Sequence, residues 1–359
     1  MKISGSNHAM LENNPPTLAQ SSKNSGLSNE QLVTAYRTML LTRLLDQKAI
    51  SLHKQGKIGS YTSSAGHEAA QVGSVYGLEP DDYIFPYYRD QGVLLARGVT
   101  PEQLLNRFIG NASDDMKGRD LPNLFSFRDH RIFSNGAPIA SNLQISVGFA
   151  MAAKMKKEDL VTIAYFGEGA TSSGEFHVAL NFAGVYKAPS IFICENNHYA
   201  ISVPVRRQTA SETISVKAKA YGIAGITVDG NDFFAVQAAV AAARNRASKG
   251  LGATLIECVT YRYSPHSSAD DWKRYRTPEE VEGWKKKDPI VLYRNQLLAM
   301  SVLTKESEKI IFDHTQERVN TAVKATGNIP DPPGQSVIED VFAEIPRNLK
   351  EDFLDFREN

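Results

Sequence analysis

Two short apolar runs, separated by one helix-length segment, constrain the fold of this chain more than any other feature. Residues Val161 to Phe166 and Ser190 to Cys194 are rich in β-branched and aromatic side chains, as buried strands are. Between them, apolar residues recur at helical spacing from Phe176 to Val185. A strand, a helix and a second strand of these lengths form the crossover that joins parallel strands. The sequence therefore predicts an α/β fold.

The rest of the chain continues this alternation of strands and helices. Strands are predicted at 226–228 and 254–261, and helices at 233–248 and 289–301. The pattern predicts a doubly wound, mostly parallel sheet flanked by helices, with helical extensions. We expect a single α/β domain over residues 28–359 that ends in a C-terminal helical extension.

The N-terminal segment differs from the rest in composition. Residues 1–27 are rich in Ser, Asn, Pro and Gly, and we expect them to form a disordered leader. Ser28, followed by Gln31 three positions later, predicts the start of a helix. Its apolar stripe continues to about His53, and the glycine at 56 ends it.

Polar residues follow both of the central strands. The first strand leads into Gly-Glu-Gly-Ala-Thr at 167–171, and the second into Glu-Asn-Asn-His-Tyr at 195–199. Between Gly169 and Asn196 lie 26 residues. Because parallel strands end at the same edge of a sheet, we expect Glu168 and Asn197 to lie side by side in a ligand-binding crevice.

Oxygen atoms of these kinds suit magnesium, which takes six oxygen ligands and accepts some of them from phosphates and water. The two glycines allow a close approach of the backbone to a ligand, and the following helix is predicted to turn its first amide groups toward an anion. The turn thus predicts a site for a diphosphate held through a metal ion. A Walker loop is excluded, since no Gly-Lys-Ser/Thr follows Gly169, and the dinucleotide pattern is excluded because Ser172 replaces its third glycine.

Read together, these motifs resemble a known family. The segments GEGATSSGEFHVALNFA and CENNHYAIS resemble the α subunits of thiamine diphosphate-dependent 2-oxoacid dehydrogenase E1 components. The similarity extends from about Leu32 to Pro346 and includes YRDQGVLLARG, KGRDLP, VDGND and YRYSPHSSADDWKRYR. The last block is similar to the branched-chain (2-oxoisovalerate) type, because Pro265 precedes His266 and both Asp270 and Asp271 are present.

The resemblance implies a role for each of ten residues. Glu168, Asn197 and the Tyr199 carbonyl would bind Mg²⁺, and His266 would act in catalysis as well as in cofactor binding. The residues implied to bind the cofactor, thiamine diphosphate, are Tyr88, Arg89, Ala137, Ile139, Glu168, Gly169, Ala170, Asn197, Tyr199 and His266.

Several of these assignments have alternatives. Glu195 stands where animal branched-chain subunits carry an arginine, so Arg89 is expected to bind the diphosphate; the alternative is an ion pair with Asp90. His266 can exchange a proton near neutral pH, or donate to phosphate when protonated; the alternative is a loop histidine without a role. Ser267 aligns with a phosphorylation position of animal relatives, although an ordinary loop serine is favoured.

The resemblance is less complete at a potassium site that some relatives have. Ser141 and Asn142 stand there in place of Thr and Gln.

For function, the resemblance implies oxidative decarboxylation of 2-oxoisovalerate-type acids and reductive acylation of a lipoyl group on E2. The activating glutamate would come from an E1 β subunit, which implies an α2β2 heterotetramer that is inactive without β. Two alternatives stay open: an E1 α subunit of the pyruvate or acetoin type, and a non-catalytic metal-diphosphate binding module.

Composition excludes other classes of protein. The 359 residues contain 40 basic and 40 acidic side chains, which gives no electrostatic reason to expect nucleic acid or an anionic membrane as partner. The sequence shows no apolar stretch of roughly 18 residues and no signal core, so we expect a cytoplasmic protein. The two cysteines, Cys194 and Cys258, are expected to be buried thiols.

Overall fold

A computed structural model describes residues 25–350 of the chain. The leader predicted for residues 1–27 lies almost wholly outside this range, as does the end of the predicted domain. The strands are β1 (Tyr83–Phe85), β2 (Thr162–Gly167), β3 (Ser190–Asn196), β4 (Tyr199–Ala200), β5 (Val203–Pro204), β6 (Ala224–Asp229) and β7 (Thr254–Val259). The helices are α1 (Asn29–Lys54), α2 (Glu68–Val75), α3 (Gln91–Ala96), α4 (Pro101–Ile109), α5 (Ser141–Lys156), α6 (Gly174–Val185), α7 (Phe233–Ser248), α8 (Pro278–Lys285), α9 (Pro289–Ala299), α10 (Lys305–Thr326) and α11 (Ser336–Glu339).

Five strands form one sheet in the order β1-β2-β3-β7-β6, and every neighbouring pair is parallel. In the register of β2 and β3, Gly167 lies opposite Glu195. The two polar segments therefore leave the sheet at the same edge, as predicted. A small antiparallel hairpin of β4 and β5 follows β3 directly and folds beside that edge.

Both faces of the sheet are covered, which confirms the doubly wound α/β fold. Ile163 and Tyr165 pack in a core with residues of α1, α2 and α7, while the alternate residues Ala164 and Phe166 pack with residues of α5 and α6. This alternation follows from the two-residue repeat of a strand, and apolar residues on both faces are typical of parallel sheets.

The predicted helix start at Ser28 is confirmed. The Ser28 hydroxyl accepts from the Gln31 amide at 3.2 Å, and the Gln31 side chain accepts from the Ser28 amide at 2.9 Å. This reciprocal pair satisfies two amide groups that a helix end leaves free. Helix α1 then ends before Gly56, whose φ of 74° is left-handed.

One strand is shorter than the sequence predicts. The prediction of 254–261 included Thr260 and Tyr261, but β7 ends at Val259. The Thr260 amide still donates to the Asn196 carbonyl of β3 at 2.9 Å. Its hydroxyl lies 2.7 Å from the Gly66 carbonyl and 2.7 Å from Asn231 Oδ1, both in loops outside the sheet. The cysteines are both buried and free, as expected. No helix within residues 25–350 is long and apolar enough to cross a lipid bilayer.

Candidate active site

A cavity opens at the carboxyl ends of β2 and β3. Residues from the loop before α3, the loop before α5, the turn after β2, the β4 hairpin and the loop after β7 surround it. All ten residues that the resemblance implicates in cofactor binding line this cavity: Tyr88, Arg89, Ala137, Ile139, Glu168, Gly169, Ala170, Asn197, Tyr199 and His266. Their placement in one cavity is a property of the fold, and their roles stay predictions.

The two side chains predicted to bind a metal are direct neighbours. Glu168 is buried, and its Oε2 accepts from the backbone amide of Asn197 at 3.3 Å. Its Oε1 accepts from Gln208 Nε2, also at 3.3 Å. Burial raises the pKa of Glu168, since a carboxylate without a cation loses its hydration there. Each carboxylate oxygen of Glu168 thus accepts one hydrogen bond, and both donors are uncharged.

The turn after β2 contains a short helical segment of its own before α6 begins. Residues Glu168–Ser172 form a 3₁₀ turn, and α6 begins only at Gly174, where the Ser173 hydroxyl caps it by accepting from the Glu175 amide at 3.3 Å. The amides of Gly169 and Ala170 therefore belong to the 3₁₀ turn, and their predicted contact with the diphosphate stays a prediction. The Ser173 hydroxyl thus already satisfies one of the free amide groups at the start of α6.

Gly169 also lies where the turn packs closely against the β4 hairpin. A Cβ added to Gly169 would lie 2.6 Å from the Cβ of Ala200 in β4, a separation that side chains do not tolerate. The close approach is thus between the turn and the hairpin. A Cβ at Gly167, by contrast, would meet no atom within 4 Å.

Arg89 lies buried beside the cavity and does not pair with Asp90. Its Nη1 donates to the Ser63 carbonyl, and its Nη2 donates to the His266 carbonyl at 3.1 Å. Asp90 instead accepts from the Tyr87 amide at 2.7 Å. The ion pair weighed as the alternative role for Arg89 is therefore absent, and its positive charge stays available to an anion in the cavity.

His266 is held between two guanidinium groups. Its Nδ1 lies 3.0 Å from Arg262 Nη1 and 3.4 Å from Arg89 Nη2. Both arginine atoms can only donate, so Nδ1 accepts and the proton of the neutral ring is on Nε2. Burial, followed by the charges of Arg89 and Arg262, lowers the pKa of His266 to about 3. In this arrangement the neutral ring has its proton on Nε2, which can donate a hydrogen bond.

The other two contacts of His266 fix its loop and its ring. The His266 amide donates to Asp270 Oδ2 at 2.7 Å, which ties the loop back on itself. The ring of Tyr88 meets the imidazole edge to face, with 5.9 Å between centroids. Tyr88 also lies under the Arg89 guanidinium, 5.6 Å from its carbon.

Arg262 is a residue of the cavity wall to which the sequence pointed without assigning a role. It is fully buried and donates to the carbonyl of Ile201 at 2.8 Å and to the Tyr275 hydroxyl at 3.1 Å. Its Nη1 also lies 3.4 Å from the Tyr199 carbonyl, the backbone group predicted to bind the metal. Burial and the charge of Arg89 lower the pKa of Arg262 to about 10, so it stays charged near neutral pH. The available signal was its place in the block YRYSPHSSADDWKRYR, four residues before His266.

Glu195 does not line the cavity. It is buried behind the site, where its Oε2 accepts from the Tyr87 hydroxyl at 2.7 Å and from Gln71 at 3.3 Å. Burial raises the pKa of Glu195 to about 7. Asn142 is in the region of the potassium site of some relatives. Its Nδ2 lies 3.0, 3.1 and 2.9 Å from the carbonyls of Phe85, Pro86 and Tyr165, which share its two hydrogens.

Comparison with known proteins decides the family. The model of the family described as "Dehydrogenase E1 component" matches residues 36–334. The chain belongs to the dehydrogenase E1 component family. It is 43% identical over 320 residues to the 2-oxoisovalerate dehydrogenase subunit alpha of Bacillus subtilis strain 168, covering 89% of this chain and 97% of that protein. It is 40% identical over 333 residues to the pyruvate dehydrogenase E1 component subunit alpha of Staphylococcus aureus strain Mu50, covering 92% and 88%.

Membership of the E1 component family implies dependence on thiamine diphosphate. The residues of the cavity fit this group. Arg89 and Arg262 supply two positive charges, and the Nε of each is buried without a hydrogen-bond partner within residues 25–350. Glu168 and Asn197 supply a carboxylate and an amide oxygen next to them. An anion with a bound cation would use both kinds of group.

Proposed function

We propose that the chain is the α subunit of E1 in a branched-chain 2-oxoacid dehydrogenase complex. The reaction would be oxidative decarboxylation of 2-oxoisovalerate-type acids, followed by reductive acylation of a lipoyl group on E2. One observation carries the proposal: the neighbouring Glu168 and Asn197 share a single cavity with Arg89 and a neutral His266. The higher identity to a 2-oxoisovalerate than to a pyruvate relative supports the branched-chain substrate.

In this proposal Mg²⁺ binds Glu168, the Asn197 side-chain oxygen and the carbonyl of Tyr199. Within residues 25–350 no group of three or more His, Cys, Asp or Glu side chains converges to hold a metal. A magnesium ion at this cavity would take its remaining ligands from water and from the diphosphate, as magnesium does at other phosphate sites. The cofactor would therefore complete the metal site.

Thiamine diphosphate, when bound, supplies a carbon nucleophile and an electron sink for decarboxylation. The residues of this chain would bind and orient the reacting groups. Arg89 offers its charge to the diphosphate. His266 would present Nε2–H to an oxygen of substrate or acyl group, because its Nδ1 is occupied by the two arginines. Tyr88, Ala137 and Ile139 would contact the rest of the cofactor, and the amides of Gly169 and Ala170 its diphosphate.

The partners proposed for the chain are an E1 β subunit, in an α2β2 heterotetramer, and a lipoyl-bearing E2. Purified α chain, with and without the β chain, should be assayed for decarboxylation of 2-oxoisovalerate with thiamine diphosphate and Mg²⁺. We expect activity only when both chains are present, because the activating glutamate is proposed to come from β. Full activity of the α chain alone would contradict this assignment.

An E1 α subunit for pyruvate or acetoin is the second candidate, favoured by the 40% identity to a pyruvate dehydrogenase subunit. The reconstituted enzyme should be compared on 2-oxoisovalerate, pyruvate and acetoin. A kcat/KM that is highest for pyruvate or acetoin would replace the branched-chain substrate and keep the E1 assignment. Calorimetry that shows nucleotide rather than thiamine diphosphate binding would favour a non-catalytic module instead.

The single domain, the role of Ser267 and the cytoplasmic location stay predictions from the sequence.

A further inference from the structure

His67 occupies a buried position behind Asn197 that the sequence did not connect with the site. It is fully buried at the start of α2. Its Nδ1 lies 3.2 Å from the Ser64 carbonyl, and its Nε2 lies 3.3 Å from the side-chain nitrogen of Asn197. The histidine therefore joins a loop carbonyl on one side to a predicted metal ligand on the other.

These two contacts determine which way the Asn197 amide points. A carbonyl oxygen only accepts, so the Ser64 carbonyl requires the ring proton on Nδ1 of His67. Nε2 of the neutral ring is then an acceptor. The donor within hydrogen-bond distance is the Asn197 NH₂ at 3.3 Å, whereas Glu195 Oε2 lies 4.0 Å away. The Asn197 oxygen is turned the other way, where it accepts from the Tyr199 amide at 3.3 Å. It keeps a second lone pair for a cation.

Without His67 only the Tyr199 amide, at 3.3 Å, would favour this direction of the Asn197 amide. An amide can rotate by half a turn at little steric cost, because its oxygen and nitrogen have similar size. The rotated form would put an NH₂ group where a cation needs an oxygen. Groups that hold a metal ligand from outside typically change metal affinity by 10- to 100-fold when they are removed.

We propose that His67 is a positioning residue that holds the Asn197 oxygen toward the metal of the cofactor site. This inference rests on the proposed function, in which Asn197 binds Mg²⁺. His67 itself would contact neither the metal nor the cofactor nor the substrate. Its expected effect is on metal affinity.

The test uses the chain produced together with its β subunit, and Mn²⁺ as a paramagnetic substitute for Mg²⁺. Mn²⁺ binding at saturating thiamine diphosphate is followed by electron paramagnetic resonance. His67→Leu and His67→Met each replace the imidazole by an apolar side chain that cannot accept from Asn197. If one of the two variants does not fold, the other can still be measured. We expect both to weaken Mn²⁺ binding by about 10- to 100-fold.

His67→Gln provides the rescue, because a glutamine offers both a donor for Ser64 and an acceptor for Asn197. We expect its Mn²⁺ affinity to stay within a few-fold of wild type. The matched control is His53→Leu, since Nδ1 of His53 also contacts a backbone carbonyl, that of Ile58 at 2.9 Å, but outside the cavity. Thermal unfolding without metal and cofactor reports any purely structural loss.

The outcomes separate the two hypotheses. Wild-type Mn²⁺ affinity in folded His67→Leu or His67→Met, or equal losses in His67→Gln and His67→Leu, would overturn the role of His67. If Glu168→Gln also binds Mn²⁺ as tightly as wild type, the proposed metal site is contradicted, whatever the His67 variants show. Loss in both apolar variants with rescue by glutamine supports the inference.

Discussion

Two guanidinium groups contact Nδ1 of His266. At many other histidines this nitrogen carries a proton or faces a carboxylate. Arg262 and Arg89 both donate to Nδ1, at 3.0 and 3.4 Å. Their charges add to the effect of burial and hold the pKa of His266 at about 3, below its ordinary value of 6.5. The residue is thereby a hydrogen-bond donor of fixed tautomer over the pH range in which most enzymes work.

Replacing Arg262 should therefore raise the pKa of His266. Arg262→Gln removes a positive charge beside Nδ1, and the protonated ring then costs less free energy. We expect the pKa to move from about 3 toward 6.5, as followed by NMR of the ring protons during a pH titration. Arg246→Gln is the control, because Arg246 bonds to Leu251 and does not line the cavity. An unchanged His266 titration in Arg262→Gln would show that Arg262 does not lower its pKa and would leave burial and Arg89 as the causes.

Among the secondary-structure elements, the turn between β2 and α6 is built by packing against the β4 hairpin. Gly169 approaches Ala200 too closely for a side chain, whereas Gly167 faces open space. The same hairpin carries the Tyr199 carbonyl. Contact between turn and hairpin thus places Glu168 next to two other predicted ligands.

This contact predicts different stabilities for two similar substitutions. Gly169→Ala should lower the free energy of unfolding by roughly 1–3 kcal/mol, the usual cost of overpacking, because its Cβ would lie 2.6 Å from the Ala200 Cβ. Gly167→Ala is the matched control and should be nearly neutral. Urea unfolding measures both, and Ala200→Gly should recover part of the loss in the double variant. Equal stabilities of the two alanine variants would contradict the packing argument.

In the whole molecule, the site is assembled from segments far apart in the sequence, so a bound cofactor should stabilise the entire fold. We expect thiamine diphosphate with Mg²⁺ to raise the free energy of unfolding by about 2.7 kcal/mol at a ligand concentration of 100 times Kd. The α chain with its β subunit should be measured by thermal unfolding. Glu168→Gln should lose most of this stabilisation, because the amide lacks the charge that binds the cation. The same ligand-induced rise in Glu168→Gln would exclude Glu168 as a metal ligand.

Much of this fold could be predicted from local patterns. The strands around 161 and 190 are recognisable because burial on both faces demands continuous apolar residues. Their parallel direction follows from the helix between them, and the shared edge of Glu168 and Asn197 follows from the direction. The extent of β7 and the start of α6 were less predictable. At the end of β7 the Thr260 hydroxyl contacts a distant loop, and at the start of α6 the Ser173 hydroxyl caps the helix.

The sequence by itself determined the class of fold, the edge of the sheet where the site lies and the family to which its motifs belong. Only the tertiary structure decided that Arg262 and Arg89 share the same nitrogen of His266, and that His67 meets Asn197 across 130 positions of the chain. The physical reason is the distance along the chain between the residues that interact. Strand and helix patterns depend on neighbours a few residues away, whereas these contacts arise when distant segments pack together.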